Sequence, residues 1–151
     1  MDILTTNGYA FDKGSVNPRN GVKWLDTVGG LEFVYHRLTD LTGAYAARAG
    51  DIDGDGDLDI IAVASLPKTP RPSNAYDQQV ASVVLLEQVE PGQFARHTLE
   101  RSAAVHSALE MADFDKDGDL DFAVSFYSFS QEERSPYRVA VWWNQSTATA
   151  P

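Results

Sequence analysis

Residues 51–60 read DIDGDGDLDI, five aspartates within nine positions followed at once by an apolar run, and residues 113–122 repeat the phrase as DFDKDGDLDF. Two carboxylates about 5 Å apart repel by about 3 kcal/mol at an effective dielectric of about 20. A turn that crowds four or five of them needs a counter-charge, so a bound cation is implied.

The second copy starts 62 residues after the first, and its surroundings repeat too. After the first run come LDIIAVAS, a proline-bearing loop LPKTPRPSNAYDQQ, then VASVVLLEQ, a turn VEPGQ and FARHTLE. After the second come LDFAVSFYS, a loop FSQEERSP and YRVAVWWNQ. Before the first run stand MDILTTNG, a loop YAFDKGSVNPRNG, VKWLD, a turn TVGG and FVYHRLTD. Phe33, His36 and Leu38 match Phe94, His97 and Leu99 at a constant offset of 61, and Asp2 stands where Asp59 and Asp121 stand. One unit is thus shown partly, wholly and partly again.

Each unit reads as four short strands. AYAARAGD leads into the first aspartate turn, and DLDIIAVAS leaves it apolar on both alternating faces, the pattern of a strand covered on both sides. FARHTLE alternates apolar with polar residues, as a strand nearer an edge does. SAAVHSALEMA, the best helical stretch, runs straight into the second turn and is read as a connector plus the strand before that turn. The expected class is all-β, with β-propeller blades of four antiparallel strands. About two and a half blades fit one domain: a partial blade at 1–40, a complete one at 41–101, a partial one at 102–145 and a tail at 146–151. Propellers close with about 4 to 8 blades. The expectation is therefore a fragment of a longer propeller that self-associates, because bare apolar blade faces aggregate.

The turns have the spacing of an oxygen-ligand calcium loop. Asp51, Asp53 and Asp55 take the first, third and fifth places, Gly56 the sharp bend, and Asp57 offers a carbonyl. Asp113, Asp115, Asp117, Gly118 and Asp119 repeat that series. The twelfth place, filled by a bidentate acid in a helix-loop-helix site, is Ala62 or Val124, so Asp59 and Asp121 at the ninth must close the two sites. All-oxygen ligation with a flexible ligand count favours Ca2+ over Mg2+. Two calcium sites are expected, each tying one strand to the next.

Composition narrows the function classes. The chain has 151 residues, enough for one core without staples, and no cysteine, hence no disulfide or thiolate metal site. Its 22 acidic and 12 basic residues give a net charge of −10, which speaks against nucleic acid, held mainly by Lys and Arg on phosphate. No apolar stretch approaches the roughly 20 residues that span a bilayer, so no membrane partner is expected. MDILTTNGYA lacks the basic start and apolar core of a signal peptide. Weak calcium sites nonetheless suit millimolar calcium, which points to a secreted, extracellular or periplasmic setting.

GDIDGDGDLDIIAVAS and ADFDKDGDLDFAVS resemble the FG-GAP/VCBS repeats of integrin-α-like β-propellers in their bacterial form, and the resemblance covers nearly the whole chain. It implies a propeller of seven blades in most members, calcium in the turn joining the first two strands of a blade, and roles in adhesion, ligand binding or scaffolding. The chain departs from that family in its incomplete blade count and in its long loops between second and third strands.

Catalysis finds little support. HExxH, GxSxG and phosphate-loop motifs are absent, and the dense carboxylates are committed to the cation, so a non-catalytic role is expected. His36 and His97 occupy equivalent strand places, which packing explains, and His106 falls in a connector. Trp24 and Trp142 share the strand place of Leu85 and read as core, whereas Trp143 points the other way, toward a neighbouring blade or, in a lectin-like alternative, a glycan. Asn144, Gln145 and Ser146 form a glycosylation acceptor motif. Partners are thus other copies or the remaining blades of a parent propeller, with a protein or glycan ligand.

Overall fold

The computed structural model describes residues 1–8, 17, 19–66, 80–102, 105–126 and 138–145. The proline-bearing loop at 67–79, the loop at 129–136, most of the loop at 9–18 and the tail 146–151 lie outside the described residues, Ser146 of the acceptor motif among them. The described residues form strands and turns with no α-helix, and so hold no helix long and apolar enough to cross a membrane.

Three antiparallel sheets follow one another along the chain. The first contains β1 (Ile3–Asn7), β2 (Gly21–Gly29) and β3 (Glu32–Asp40). The central sheet is a meander of β4 (Ala44–Gly50), β5 (Asp59–Ala64), β6 (Ala81–Glu90) and β7 (Gln93–Arg101). The third contains β8 (His106–Ala112), β9 (Asp121–Phe126) and β10 (Val139–Trp142). The all-β reading therefore holds, and the aspartate turns are the β4–β5 and β8–β9 connections.

The period of two in a strand decides how the sheets stack. All six residues of β5 are buried. Ile60, Ala62 and Ala64 join Val22, Leu41, Val84 and Leu86 in a core shared with the first sheet, while Ile61 and Val63 join Val83, Leu109, Phe122 and Val124 in a core shared with the third. The central sheet is thus sandwiched, which explains why β5 is apolar from Ile60 to Ala64 and β6 from Val83 to Leu86. Ile61 is fully buried. Ile61→Ala is expected to destabilise the chain by about 2–5 kcal/mol and Ile61→Val by about 1 kcal/mol, read from urea unfolding midpoints. Equal losses would mean that the site is loosely packed.

His106 corrects the sequence reading. It opens β8 rather than lying in a connector, and it is fully buried. Its Nε2 sits 3.2 Å from Glu100 Oε1, the atom that also accepts the Ser82 and Ser102 hydroxyls, and its ring tilts against Phe126 at 4.9 Å. Burial alone would raise the Glu100 carboxyl, but hydrogen bonds from Ser102 and Ser82 and the nearby His106 outweigh it and hold the group below its usual value. His36 and His97 face acids on the neighbouring strand, Asp26 at 3.9 Å and Glu87 at 2.7 Å, so both serve cross-strand pairing.

Candidate metal centre

Each aspartate turn is folded by its own carboxylates. Asp51 accepts the Gly54 and Gly56 N–H groups at 2.8 and 3.1 Å, Asp53 that of Asp55 at 3.2 Å, and Asp55 that of Asp57 at 2.9 Å. The second turn repeats the scheme: Asp113 takes Lys116 and Gly118 at 2.6 and 3.2 Å, Asp115 takes Asp117, and Asp117 takes Asp119. Such a winding requires positive φ at the same two places of each turn. Gly54 and Gly56 supply it in the first at 80° and 96°, and Gly118 supplies the later one in the second at 102°. At the earlier place Lys116 adopts φ 68°, unusual for a side-chain-bearing residue and evidence that the turn imposes the conformation.

The winding turns carboxylates inward. One oxygen each from Asp51, Asp53 and Asp59 lie within 4.8 Å of one another, as do oxygens from Asp113, Asp115 and Asp117. These two clusters can hold a metal ion. Asp55 and Asp57 stand outside the first triplet, and Asp119 and Asp121 outside the second. The donor set fits a hard cation, since every converging atom is a carboxylate oxygen.

Charge crowding is visible in the proton affinities. Asp53 is pushed above its usual value by desolvation within the turn and by the charges of Asp59, Asp55 and Glu87, partly offset by the Asp55 N–H. At Asp117 the Asp119 N–H pulls downward, yet desolvation, a side-chain hydrogen bond with Asp119 and the charges of Asp115 and Asp119 prevail and raise it. Asp53 and Asp117 therefore hold their protons more tightly than an ordinary aspartate, and a divalent ion beside them would relieve the crowding.

Asp59 and Asp121 share a task that spacing alone did not reveal. Asp59, 1% exposed, accepts Ile52 N–H at 3.0 Å and Gln88 N–H at 2.8 Å, stapling its turn to the end of β6. Asp121 does the same with Phe114 and Asn144, at 3.0 and 2.8 Å. Asp2 keeps the strand half of this arrangement, accepting Thr27 N–H at 3.2 Å, and that bond holds its carboxyl below the usual value. Asn144 was legible only as a glycosylation acceptor. Its Nδ2 donates to Ile52 O at 2.6 Å and Leu120 O at 3.3 Å, so this amide ties the two turns together. No sequence signal marks that role, because the bond joins residues 92 positions apart.

Of the two tryptophans read as core, only Trp142 lies in one; Trp24 is half-buried and borders an open cleft between the first and central sheets. Trp142 packs in the core between the central and third sheets, stacked on Phe122 at 5.4 Å. Trp24 stacks on His36 at 4.7 Å, and Trp143 is 54% exposed. Compared with known proteins, the chain matches no family model, no curated protein and no solved structure.

Proposed function

We propose that this chain is a calcium-binding β-propeller module of FG-GAP/VCBS type, acting as a non-catalytic scaffold, adhesion or protein-interaction domain in a secreted, extracellular or periplasmic setting. The observation that carries the reading is the pair of aspartate turns in one register, each converging three carboxylates at the junction of two strands. On this reading the three sheets are successive blades, and Ca2+ in each turn pins the first strand of a blade to the second. Apolar side chains exposed on the outward sheets, Tyr35 and Phe33 on one and Val139, Val141 and Trp143 on the other, support docking onto further copies or onto the remaining blades of a parent propeller.

Calorimetric titration tests the metal reading: two calcium ions per chain are expected, and Mg2+ should bind far more weakly. A chain that takes up no calcium would end it. The exposure of Trp143 favours a second, carbohydrate-binding reading. Glycan-array hits that vanish in Trp143→Ala would establish that reading over the scaffold one.

A further inference from the structure

Leu58 and Leu120 occupy the same place in the two turns, yet Leu58 is 58% exposed while Leu120 is half-buried. Leu120 reaches onto the end of β4: a Cβ on Gly50 would come 2.8 Å from Leu120 Cδ1 and 2.9 Å from Met111 Cε. β4 lies against β8 along this contact, with Arg48 paired to Glu110 at 2.8 Å. The counterparts of Met111 and Leu120 in the central sheet are Ala49 and Leu58, and both face open space instead.

That space is a cleft along β4 beside the first sheet. One lobe, of about 480 Å³, is lined by Leu4, Trp24, Ala49, Leu58, Ile60 and Phe94, among others. A second, of about 270 Å³, lies between Leu4, Thr5 and Thr6 of β1 and Tyr45, Ala47 and Arg48 of β4. Leu4 borders both lobes. Among the described residues β1 pairs with β2 alone, so one edge of the first sheet flanks the cleft; β1 touches β4 across it, with the Thr6 hydroxyl donating to Tyr45 O at 2.9 Å. In the other two sheets the corresponding edge is taken, by β4 on β5 and by β8 on β9.

We infer that this cleft takes up one extended segment from outside these 151 residues, a β-strand of the β4 type that pairs with β1 as β4 pairs with β5. The chain itself shows what fits: β4 reads AYAARAG, and its small side chains let a strand lie close against the next sheet. Backbone pairing supplies the affinity, and Leu58 is placed to meet the last residue of that strand as Leu120 meets Gly50. The inference rests on the blade reading of the sheets.

The probe is a synthetic peptide of residues 41–50, LTGAYAARAG, titrated into the full chain carrying Trp142→Phe and Trp143→Phe so that Trp24 is the sole indole. A saturable change in Trp24 emission is expected, together with slowed amide exchange in β1. Ala49→Phe, which fills the cleft from an exposed position, should weaken binding at least about 10-fold, and a peptide with Ala47→Pro should not bind because it cannot complete the ladder. No saturable change, or undiminished binding to Ala49→Phe, overturns the inference. So does slowed exchange in β1 that rises with protein concentration in the absence of peptide, since a second copy would then cover the edge. Each titration is run with and without Ca2+: capture that fails while calcium still binds removes the cleft alone, and capture that succeeds without any calcium binding removes the metal reading alone.

Discussion

Calcium at about a hundred times its dissociation constant is expected to raise the melting temperature of this chain by about 10–20 °C. Each site then adds about 2.7 kcal/mol by mass action, and a domain of this size gains about 2–4 °C per kcal/mol. The gain should saturate with calcium and disappear with a chelator. It should also depend on pH in a defined direction. Asp53 and Asp117 have folded-state values above their ordinary 3.8, so without metal their ionisation opposes folding, and stability falls as pH rises from 3.8 through those raised values. Calcium competes with the same protons. The increment it adds should therefore grow as pH rises through that window and vanish below 3.8. Scanning calorimetry across pH, with and without calcium, checks both statements; a calcium increment that grows as pH falls would contradict the crowding account.

Asp59→Ala and Asp53→Ala are expected to separate two tasks that the turn combines. Asp59 is buried and accepts two backbone N–H groups from different parts of the central sheet. Its removal should cost about 2–4 kcal/mol even in the presence of chelator, because two half-buried donors lose a charged acceptor. Asp53 is exposed and crowded by like charge. Without calcium, Asp53→Ala should leave stability within about 0.5 kcal/mol of the parent, while calcium binding at the first turn is lost. Urea unfolding in chelator, followed by calcium titration, reads the two effects independently. Asp59→Asn, which retains an oxygen acceptor, should fall between them. Equal losses from Asp59→Ala and Asp53→Ala in chelator would mean that Asp59 is not a staple.

Much of this was open to inspection in the chain. Strand places followed from alternation and from the offset linking Phe33, His36 and Leu38 to Phe94, His97 and Leu99, because side chains on a strand alternate regardless of what lies across from them. The uninterrupted apolar run of β5 implied cover on both faces, and the two cores on either side of it supply that cover. His106 was misread because its partner Glu100, which also accepts the Ser82 and Ser102 hydroxyls, belongs to the central sheet, and only the packing of that sheet against the third turns the two side chains toward each other.

The sequence by itself determined the all-β class, the repeat and the two carboxylate turns, all of which depend on local spacing and backbone conformation. Only the tertiary structure decided which aspartates converge and which staple, that Asn144 joins the two turns, and that Leu120 is covered while Leu58 is left open. Two leucines in one motif place met opposite environments because burial is set by the neighbouring sheet, and a repeat carries no record of whether that neighbour is present.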